Sequence, residues 1–281
     1  MALNRKKLLE MVDSIPAFPQ SVNQIIALTS RADCPPKKLV GVIERDPIVT
    51  MKVLKVVNSA FFGLSKEVTS VQHSVVYVGL NTIKNVAISV AMSGVLPNEN
   101  GAGLDMDAFW KNSLAVGVIA KMLAEKHRVP SNEQADYFVA GLLHNIGKVL
   151  FAHFFPDKYK VVLEKSQAKK VPLHIVEKEL LGLDHCQLGS LVAKEWQLPD
   201  NLRQCIRAHH TMVNDYGGNA LLVAIIAANQ VNHYIHGSNQ VLSGLPKQVE
   251  DYLGAPMLEV AGSLTNLDNE IKKAQSFVDL S

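Results

Sequence analysis

The chain has few cysteines and few charged residues, and each shortage argues against a class of protein. The three cysteines, Cys34, Cys186 and Cys205, show no paired spacing, so a disulfide framework is not expected. Charged residues make up 19% of the chain and the formal net charge is +2, which argues against a strong nucleic-acid or membrane field. The longest apolar run, at 220–228, is far shorter than the roughly 20 residues of a membrane span.

Motifs for several common chemistries are also missing from the sequence. There is no glycine-rich phosphate loop, no Gly-x-Ser-x-Gly elbow and no Cys-x-x-Cys pair. The basic pairs at 37–38 and 169–170 are too short to form nucleic-acid patches. The N-terminus mixes charged and apolar residues and lacks the apolar core of a signal peptide. These features predict a cytoplasmic protein that binds neither nucleic acid nor membrane.

Apolar residues are plentiful and their spacing is helical. They make up 48% of the 281 residues, which is enough for one large domain or two small ones. Nearly every segment has apolar residues at helical intervals, and none shows sustained alternation, so the pattern predicts an all-α fold. The polar stretch at 97–103, with its proline and glycines, is the best candidate for a boundary. We expect an N-terminal helical subdomain over 1–100 and a second helical domain with a helical tail over 101–281.

The most informative segment is 141–148, with the sequence Gly-Leu-Leu-His-Asn-Ile-Gly-Lys. The pattern predicts a helix that delivers His144 and ends near Gly147, because glycine is favoured just after a last helical turn. Lys148 could contact a phosphate at that helix end. The alternative is a solvated lysine that interacts favourably with the helix C-terminus.

This segment is similar to the signature of HD-type phosphohydrolases, with asparagine at the position of the aspartate. The chain as a whole resembles the HDOD domain family, HD-related modules of bacterial signalling proteins. The resemblance implies an all-helical fold in which an N-terminal bundle packs on a degenerate HD-domain bundle. The matching segments keep their order from about residue 13 to 235 and include 15–19, 43–47, 57–63, 78–80, 109–113, 141–148, 184–185, 196–199, 209–210 and 228–229.

The resemblance also implies where a catalytic site would lie. Active HD enzymes use histidine and aspartate to hold one or two metal ions, which acidify a water and polarise the phosphoryl group. In this chain Asn112, Asn145 and Asn229 occupy three of the expected ligand positions. An amide brings no charge to neutralise a cation, so no two-metal centre is expected. The remaining positions match metal ligands of the related HD-GYP phosphodiesterases and are His144, His185, His209 and His210.

Two interpretations of these histidines stay open. They could form a histidine-only site for a single transition metal, with zinc, nickel or copper favoured over magnesium or manganese. Alternatively they are satisfied polar residues of a helical core, and the three asparagines belong to a neutral hydrogen-bond network. His209 and His210 point about 100° apart on a helix, so at most one should face the pocket of His144. No cofactor beyond such a metal is expected. The six other histidines, His174 among them, are assigned to the surface or to packing.

The second candidate segment is 58–63, with the sequence Asn-Ser-Ala-Phe-Phe-Gly. Phe61, Phe62 and Lys66 are the residues that we expect to contact a partner protein. As part of such a contact loop, Phe61 or Phe62 could also meet the second block. The alternative is a helix that ends in a turn whose aromatic residues fill the core, since large aromatic residues are usually buried. The first hundred residues also carry a slight positive excess, with 11 basic against 7 acidic residues.

The sequence therefore predicts a non-catalytic signal-transduction module, a pseudoenzyme that acts by binding other signalling proteins. One alternative is a residual metal-dependent phosphohydrolase that acts on a nucleotide or a cyclic dinucleotide. Another is a nucleotide-binding sensor without turnover. Only the surviving histidines and Lys148 favour the enzyme.

Overall fold

The computed structural model describes residues 3, 8, 10–11, 14–15, 18–29, 35–96, 100–237 and 244–279. Every regular element within these ranges is helical and none is a strand, which confirms the predicted all-α fold. The first group of helices is α1 (Gln20–Thr29), α2 (Pro36–Glu44), α3 (Pro47–Val57), α4 (Val71–Val78) and α5 (Leu80–Val95). The second group is α6 (Met106–Lys126), α7 (Ser131–Leu143), α8 (Ile146–Phe154), α9 (Pro156–Lys169), α10 (Leu173–Leu181), α11 (His185–Glu195), α12 (Asp200–Ala208) and α13 (Ala220–Ile235). The tail contains α14 (Lys247–Leu253), α15 (Met257–Ser263), α16 (Leu267–Ala274) and a short 3-10 turn, Gln275–Phe277.

Local sequence explains where the helices that carry the site begin. The carboxylate of Asp184 accepts a hydrogen bond from the backbone N–H of Gln187, whose side chain accepts one from the backbone N–H of Asp184. This capping box satisfies two backbone donors and starts α11 at His185. The long helix α13 starts with a single N-cap bond, in which the side chain of Asn219 accepts a hydrogen bond from the backbone N–H of Leu222.

The N-terminal bundle, α1 to α5, packs on the second bundle mainly through α5 and α7. Within the second bundle α6 and α7 touch backbone to backbone. A Cβ on Gly141 would lie 2.5 Å from the Cα of Gly117, a separation that real Cβ atoms do not adopt. Glycine at these two positions therefore allows α6 and α7 to pack closely. This contact fixes the last turn of α7, directly before His144. The division at residue 100 stays a prediction, and residues 97–99 of the proposed boundary lie outside the described ranges.

The helix around His144 differs from the prediction. Helix α7 ends at Leu143, His144 and Asn145 form a turn, and α8 begins at Ile146. Gly147 and Lys148 thus lie in the first turn of α8, so the expected helix end at Gly147 is wrong. The physical reason for the glycine is close packing, because a Cβ there would lie 2.0 Å from the carbonyl oxygen of His185. Lys148 therefore lies in a first helical turn and not in the last turn where the alternative interpretation placed it.

No single helix among the described ranges is both long and apolar enough to cross a membrane. Helices α4 and α5 meet that criterion only as a pair, and the chain bends by 119° between them. Cys34 and part of the motif at 15–19, namely residues 16–17, lie outside the described ranges.

Candidate functional site

The four histidines that the sequence singled out lie together in the second bundle. His144 follows α7, His185 opens α11, and His209 and His210 directly follow α12. The ring centroids of His144 and His209 are 4.8 Å apart, and those of His185 and His210 are 5.2 Å apart. His144, His185 and His209 are at most 1% exposed. We call these four residues together with Cys186 the histidine cluster.

The two adjacent histidines face different neighbours. His209 is the one that contacts the ring of His144, whereas His210 stacks on His174 with a centroid distance of 4.1 Å. His174 is half-buried and forms one outer side of the cluster. Its assignment to packing is consistent with this contact, but the sequence did not predict that it would pack on the cluster.

His144 is fully occupied by its own neighbours. Its Nδ1 lies 2.6 Å from the carbonyl oxygen of Gly141, and its Nε2 lies 2.8 Å from Nδ2 of Asn145. A carbonyl only accepts, so Nδ1 must carry the proton and Nε2 must accept from the amide. Burial holds the pKa of His144 well below its usual value, which keeps the ring neutral. In this conformation His144 offers no free nitrogen to a metal.

His185 is held by a buried carboxylate that the sequence analysis missed. Oε2 of Glu177 lies 2.6 Å from Nδ1 of His185 and also accepts the backbone N–H of His185 at 2.7 Å. The other oxygen, Oε1, accepts a hydrogen bond from the hydroxyl of Tyr159 at 2.8 Å. Burial raises the pKa of Glu177, while the His185 N–H and the charge of Lys148 oppose that shift.

A sequence signal for Glu177 did exist. In α10 the positions 173, 176, 180 and 181 are apolar and share one helical face, and Glu177 lies in the middle of that face. A charged residue at a core position of an amphipathic helix needs a buried partner.

His185 and His209 direct two lone pairs at one another. Nδ1 of His209 lies 3.1 Å and 3.0 Å from the carbonyl oxygens of Cys205 and Ile206, so it carries the proton. Nδ1 of His185 donates to Glu177, so in both neutral rings the proton is absent from Nε2. The two Nε2 atoms are 3.3 Å apart. Burial lowers the pKa of both rings well below the usual value, which disfavours a proton between them. Metal-binding histidines have this arrangement, with the second ring nitrogen donating to a carboxylate or a carbonyl.

The thiol of Cys186 completes a set of candidate ligands. Its Sγ lies 3.7 Å from Nε2 of His209. One ligand atom each from His185, Cys186, His209 and His210 lies within 4.8 Å of the others. Tetrahedral zinc with its usual bond lengths would separate two nitrogens by about 3.3 Å and a nitrogen from a sulfur by about 3.6 Å. Two separations match these values, 3.3 Å between the Nε2 atoms of His185 and His209 and 3.7 Å between Sγ of Cys186 and Nε2 of His209. The four residues are thus a candidate ligand set for one ion, in which Cys186 takes the place that the sequence analysis gave to His144.

The protonation state of Cys186 depends on whether a metal binds. Burial raises the pKa of its thiol well above the usual value. Without a metal the thiol is therefore protonated, and metal binding must release that proton.

The three asparagines do not form one continuous network. Asn145 pairs with His144, and its buried Oδ1 has no partner among the described residues. Oδ1 of Asn112 instead accepts a hydrogen bond from Nδ2 of Asn232 at 2.9 Å. Asn229 is 2% exposed. The predicted neutral network is therefore divided into at least two separate pairs, one of which includes Asn232, a residue that the sequence analysis did not consider.

Lys148 extends toward the histidine cluster. The side chain is half-buried, and desolvation lowers the pKa of its amine. Its charge contributes to the lowered pKa of His185 and His209 and opposes the raised pKa of Glu177. Lys148 is therefore not the solvated lysine of the alternative interpretation, and its contact with a phosphate stays a prediction.

The residues expected to contact a partner lie apart from this cluster. Phe61 and Phe62 are half-buried, and the ring of Phe61 lies 4.8 Å from that of Phe138 in the second bundle. Lys66 is exposed. Phe61 thus meets the second bundle, one of the two contacts that the contact-loop interpretation allowed, and the role of the two rings toward a partner stays a prediction.

Comparison with known proteins gives consistent matches. The sequence model of the HDOD domain family matches residues 15–212. An uncharacterized protein of Treponema pallidum is 27% identical over 232 residues, which are 81% of this chain and 44% of that longer protein. The chain thus spans less than half of this curated relative.

Solved structures share the fold. A proposed phosphohydrolase from Shewanella amazonensis superposes with a TM-score of 0.74 at 23% identity, over 97% of this chain and 98% of that one. A proposed signal transduction protein from Marinobacter aquaeolei gives 0.76 at 21% identity, over 98% of this chain and 65% of that one. At these identities the likeness shows the fold alone.

Proposed function

Since the chain belongs to the HDOD domain family, we propose that it is a non-catalytic regulatory module that acts by binding another signalling protein. The observation that carries this proposal is the chemistry of the former metal site. Asparagine stands at three expected ligand positions, and His144, His185, Asn145 and Asn229 are at most 3% exposed. A two-metal hydrolase needs carboxylates to neutralise its ions and an open position for its substrate. Asparagine stands at both positions expected to supply a carboxylate, and the carboxylate that is present, Glu177, already accepts hydrogen bonds from His185 and Tyr159. The burial of these residues also restricts access for a substrate.

An activity assay tests the catalytic half of the proposal. The purified protein is incubated with bis(p-nitrophenyl) phosphate and saturating Mn²⁺, with a chelator-treated sample as reference. We expect no turnover above the reference. Turnover that requires Mn²⁺ and disappears in a folded His209→Gln variant would establish a residual phosphohydrolase and reject the proposal.

The interaction half of the proposal is supported by exposed apolar side chains on the N-terminal bundle. Ile48 and Met51 on α3 are 64% and 62% exposed, and Val76 and Tyr77 on α4 are 77% and 60% exposed. Helices α3 and α4 pack against one another. Large apolar groups kept in solvent on neighbouring helices are typical of protein contact surfaces. They are more accessible anchors than the half-buried rings of Phe61 and Phe62.

Partner capture with matched variants tests this surface. Met51→Asp and Val76→Asp should reduce recovery of a native-cell partner at least tenfold, because each places a charge at an apolar contact. The control is Leu258→Asp on α15, where the side chain is 71% exposed but lies outside the N-terminal bundle. Equal recovery by all three variants would exclude α3 and α4 as the contact surface.

The second candidate function is binding of a single transition metal, and the apposed Nε2 atoms of His185 and His209 favour it. A bound cation would use both lone pairs, and Cys186 would add a thiolate. Such soft and borderline ligands favour zinc or nickel over magnesium. A surface cleft of about 450 Å³ lined by Cys186 and His210 gives an ion a path to the site.

Metal content distinguishes a metal-binding histidine cluster from one that only packs in the core. Protein purified without an affinity tag and equilibrated with Zn²⁺ should retain up to one zinc per chain, and Cys186→Ser should lower zinc affinity at least tenfold. Cys205→Ser is the matched control, since Cys205 is also buried but is absent from the ligand group. No retained zinc would reject the metal site and leave the regulatory proposal standing.

A further inference from the structure

A second cavity lies between the two bundles, away from the histidine cluster. Its volume is about 380 Å³, and no residue of the cluster lines it. Its walls come from α4 and α5 on one side and from α6 and α7 on the other, with Phe277 of the C-terminal 3-10 turn between them. Small-molecule sites are common at such junctions, and the volume lies in the range that such ligands occupy.

Aromatic rings form the apolar part of this cavity. The ring of Phe61 lies 4.8 Å from Phe138 and 5.0 Å from Phe277, and Phe62 lies 6.3 Å from Phe277. These four rings come from three distant segments of the chain. Phe138 and Phe277 are each 1% exposed and pack on the other rings, so the half-buried rings of Phe61 and Phe62 are the ones that can meet a planar aromatic molecule.

One buried polar atom beside the cavity lacks a partner. Asn85 lines the cavity and is 1% exposed. Its Nδ2 donates to Oδ1 of Asp136 at 2.6 Å, but its Oδ1 has no hydrogen-bond partner among the described residues. A buried acceptor without a donor costs free energy, so a ligand N–H placed there would gain a hydrogen bond.

A cation lies on the opposite wall. Nζ of Lys121 is 4.6 Å from the centroid of the Phe61 ring and 3.7 Å from Oε1 of Glu125, whose side chain is half exposed. The acidic group nearest to Asn85 is Asp136, and Asn81, Asn85 and Lys84 already neutralise or bond it. An anionic group on a ligand would therefore find its attraction at Lys121 rather than at the Asn85 end.

We propose that this cavity binds a planar aromatic anion that carries an N–H donor and has about the size of an indole carboxylate. The ring packs against the half-buried rings of Phe61 and Phe62, the N–H donates to Oδ1 of Asn85, and the anionic group lies beside Lys121. The ligand touches both bundles and the C-terminal turn. Occupancy would therefore stabilise one arrangement of the N-terminal bundle on the rest of the chain.

A series of probes tests the ligand class without changing the protein. Binding of indole-3-acetate, neutral indole, naphthalene-1-acetate and cyclohexaneacetate is compared by calorimetry and by saturation-transfer NMR. Indole-3-acetate should bind most tightly, and loss of the charge or of the N–H should each weaken binding about three- to tenfold. The aliphatic acid should not bind at millimolar concentration. Equal binding of all four probes, or no binding of indole-3-acetate, would overturn the proposal.

Variants place the probe in the cavity. Lys121→Met keeps the aliphatic stem and should weaken indole-3-acetate binding about three- to tenfold, while Lys126→Met on the same helix should leave it unchanged. Ala135→Met adds volume inside the cavity and should reduce binding of every aromatic probe. Both positions are partly exposed, so we expect the fold to tolerate the two substitutions. Circular dichroism checks that each variant is folded. Unaltered affinity in Lys121→Met and in Ala135→Met would exclude this cavity as the binding site.

Discussion

The histidine cluster differs in construction from the cavity between the two bundles that Phe61, Phe62, Phe138 and Phe277 line, which we call the aromatic cavity. The cluster is filled with polar groups that bond one another, and His144, His185 and His209 are at most 1% exposed. The cavity has a volume of about 380 Å³, its apolar part is formed by phenyl rings, and it borders one buried polar atom without a partner among the described residues, Oδ1 of Asn85. The comparison teaches that the site at the motif histidines is the less accessible of the two.

Backbone packing explains the closure of the cluster. A Cβ on Gly147 would lie 2.0 Å from the His185 carbonyl oxygen, and one on Gly189 would lie 3.2 Å from the backbone nitrogen of Gly147. Helices α8 and α11 are therefore pressed together without intervening side chains. At the cavity the two bundles instead meet through side chains, and Phe61 of the N-terminal bundle packs edge to face on Phe277.

The largest expected effect is the pH dependence of the closed region. Burial keeps the pKa of His144, His185 and His209 well below the usual value, whereas in the unfolded chain they bind protons below about pH 6.5. The unfolded state then holds more protons, so stability falls as the pH drops from 7 toward 5. The slope from these three residues could reach about 4 kcal/mol per pH unit. Glu177 acts in the opposite sense, because its raised pKa removes stability as the pH rises.

Urea unfolding at pH 7, 6 and 5 measures this slope. A His209→Gln variant should show a shallower pH dependence than the wild type, since it removes one of the titrating groups. Constant stability between pH 7 and pH 5 would mean that the cluster is hydrated and protonated in the folded state. The contrast with the aromatic cavity would then be lost.

The next effect tests backbone contact in the closed region. Gly147→Ala should cost about 3 kcal/mol of the free energy of unfolding, because the new methyl group meets a carbonyl that cannot move away alone. Gly41→Ala is the control, since no atom lies within 4 Å of the added Cβ, and helix propensity should make it stabilising by about 0.5–1 kcal/mol. Chemical denaturation of both variants measures the difference. A neutral Gly147→Ala would contradict the close packing of α8 on α11.

A smaller effect distinguishes a buried carboxylate from an exposed one on the same helix. Glu177→Gln should cost about 2 kcal/mol, because an amide cannot accept from His185 and Tyr159 with both of its heavy atoms. Glu179→Gln should leave the midpoint of thermal unfolding almost unchanged, since Glu179 is exposed and, among the described residues, bonds only Lys165. Equal thermal midpoints for the two variants would show that Glu177 does not hold His185 in place.

The smallest effect is expected at the wall of the cavity. Phe62→Ala should cost about 1 kcal/mol, because its ring is only half-buried and borders space that is already empty. Phe138→Ala should cost about 3–5 kcal/mol, because Phe138 is 1% exposed. Denaturant midpoints report both values. A cost at Phe62 as large as at Phe138 would mean that the cavity is closed in solution.

Much of the fold and part of the site could be predicted from the sequence. Helical spacing of apolar residues predicted the all-α class, and the motif order predicted the HDOD family, because both depend on local patterns. The same motifs brought His144, His185, His209 and His210 into one cluster. The helix break after Leu143 was not predicted, because Gly147 is required by the approach of His185 from a distant helix and not by the end of its own helix.

The sequence alone determined which chemical groups stand at the expected ligand positions, since amides at 145 and 229 cannot supply the charge of carboxylates and an amide at 112 cannot supply an imidazole. Only the tertiary structure decided how the remaining groups are used. It directs Nε2 of His144 to Asn145, and it brings Glu177 and Cys186 to the other histidines. It also places Phe61 beside Phe138 and Phe277 rather than in solvent. The physical reason is that lone-pair directions and cavities depend on contacts between helices far apart in the chain, which local spacing does not encode.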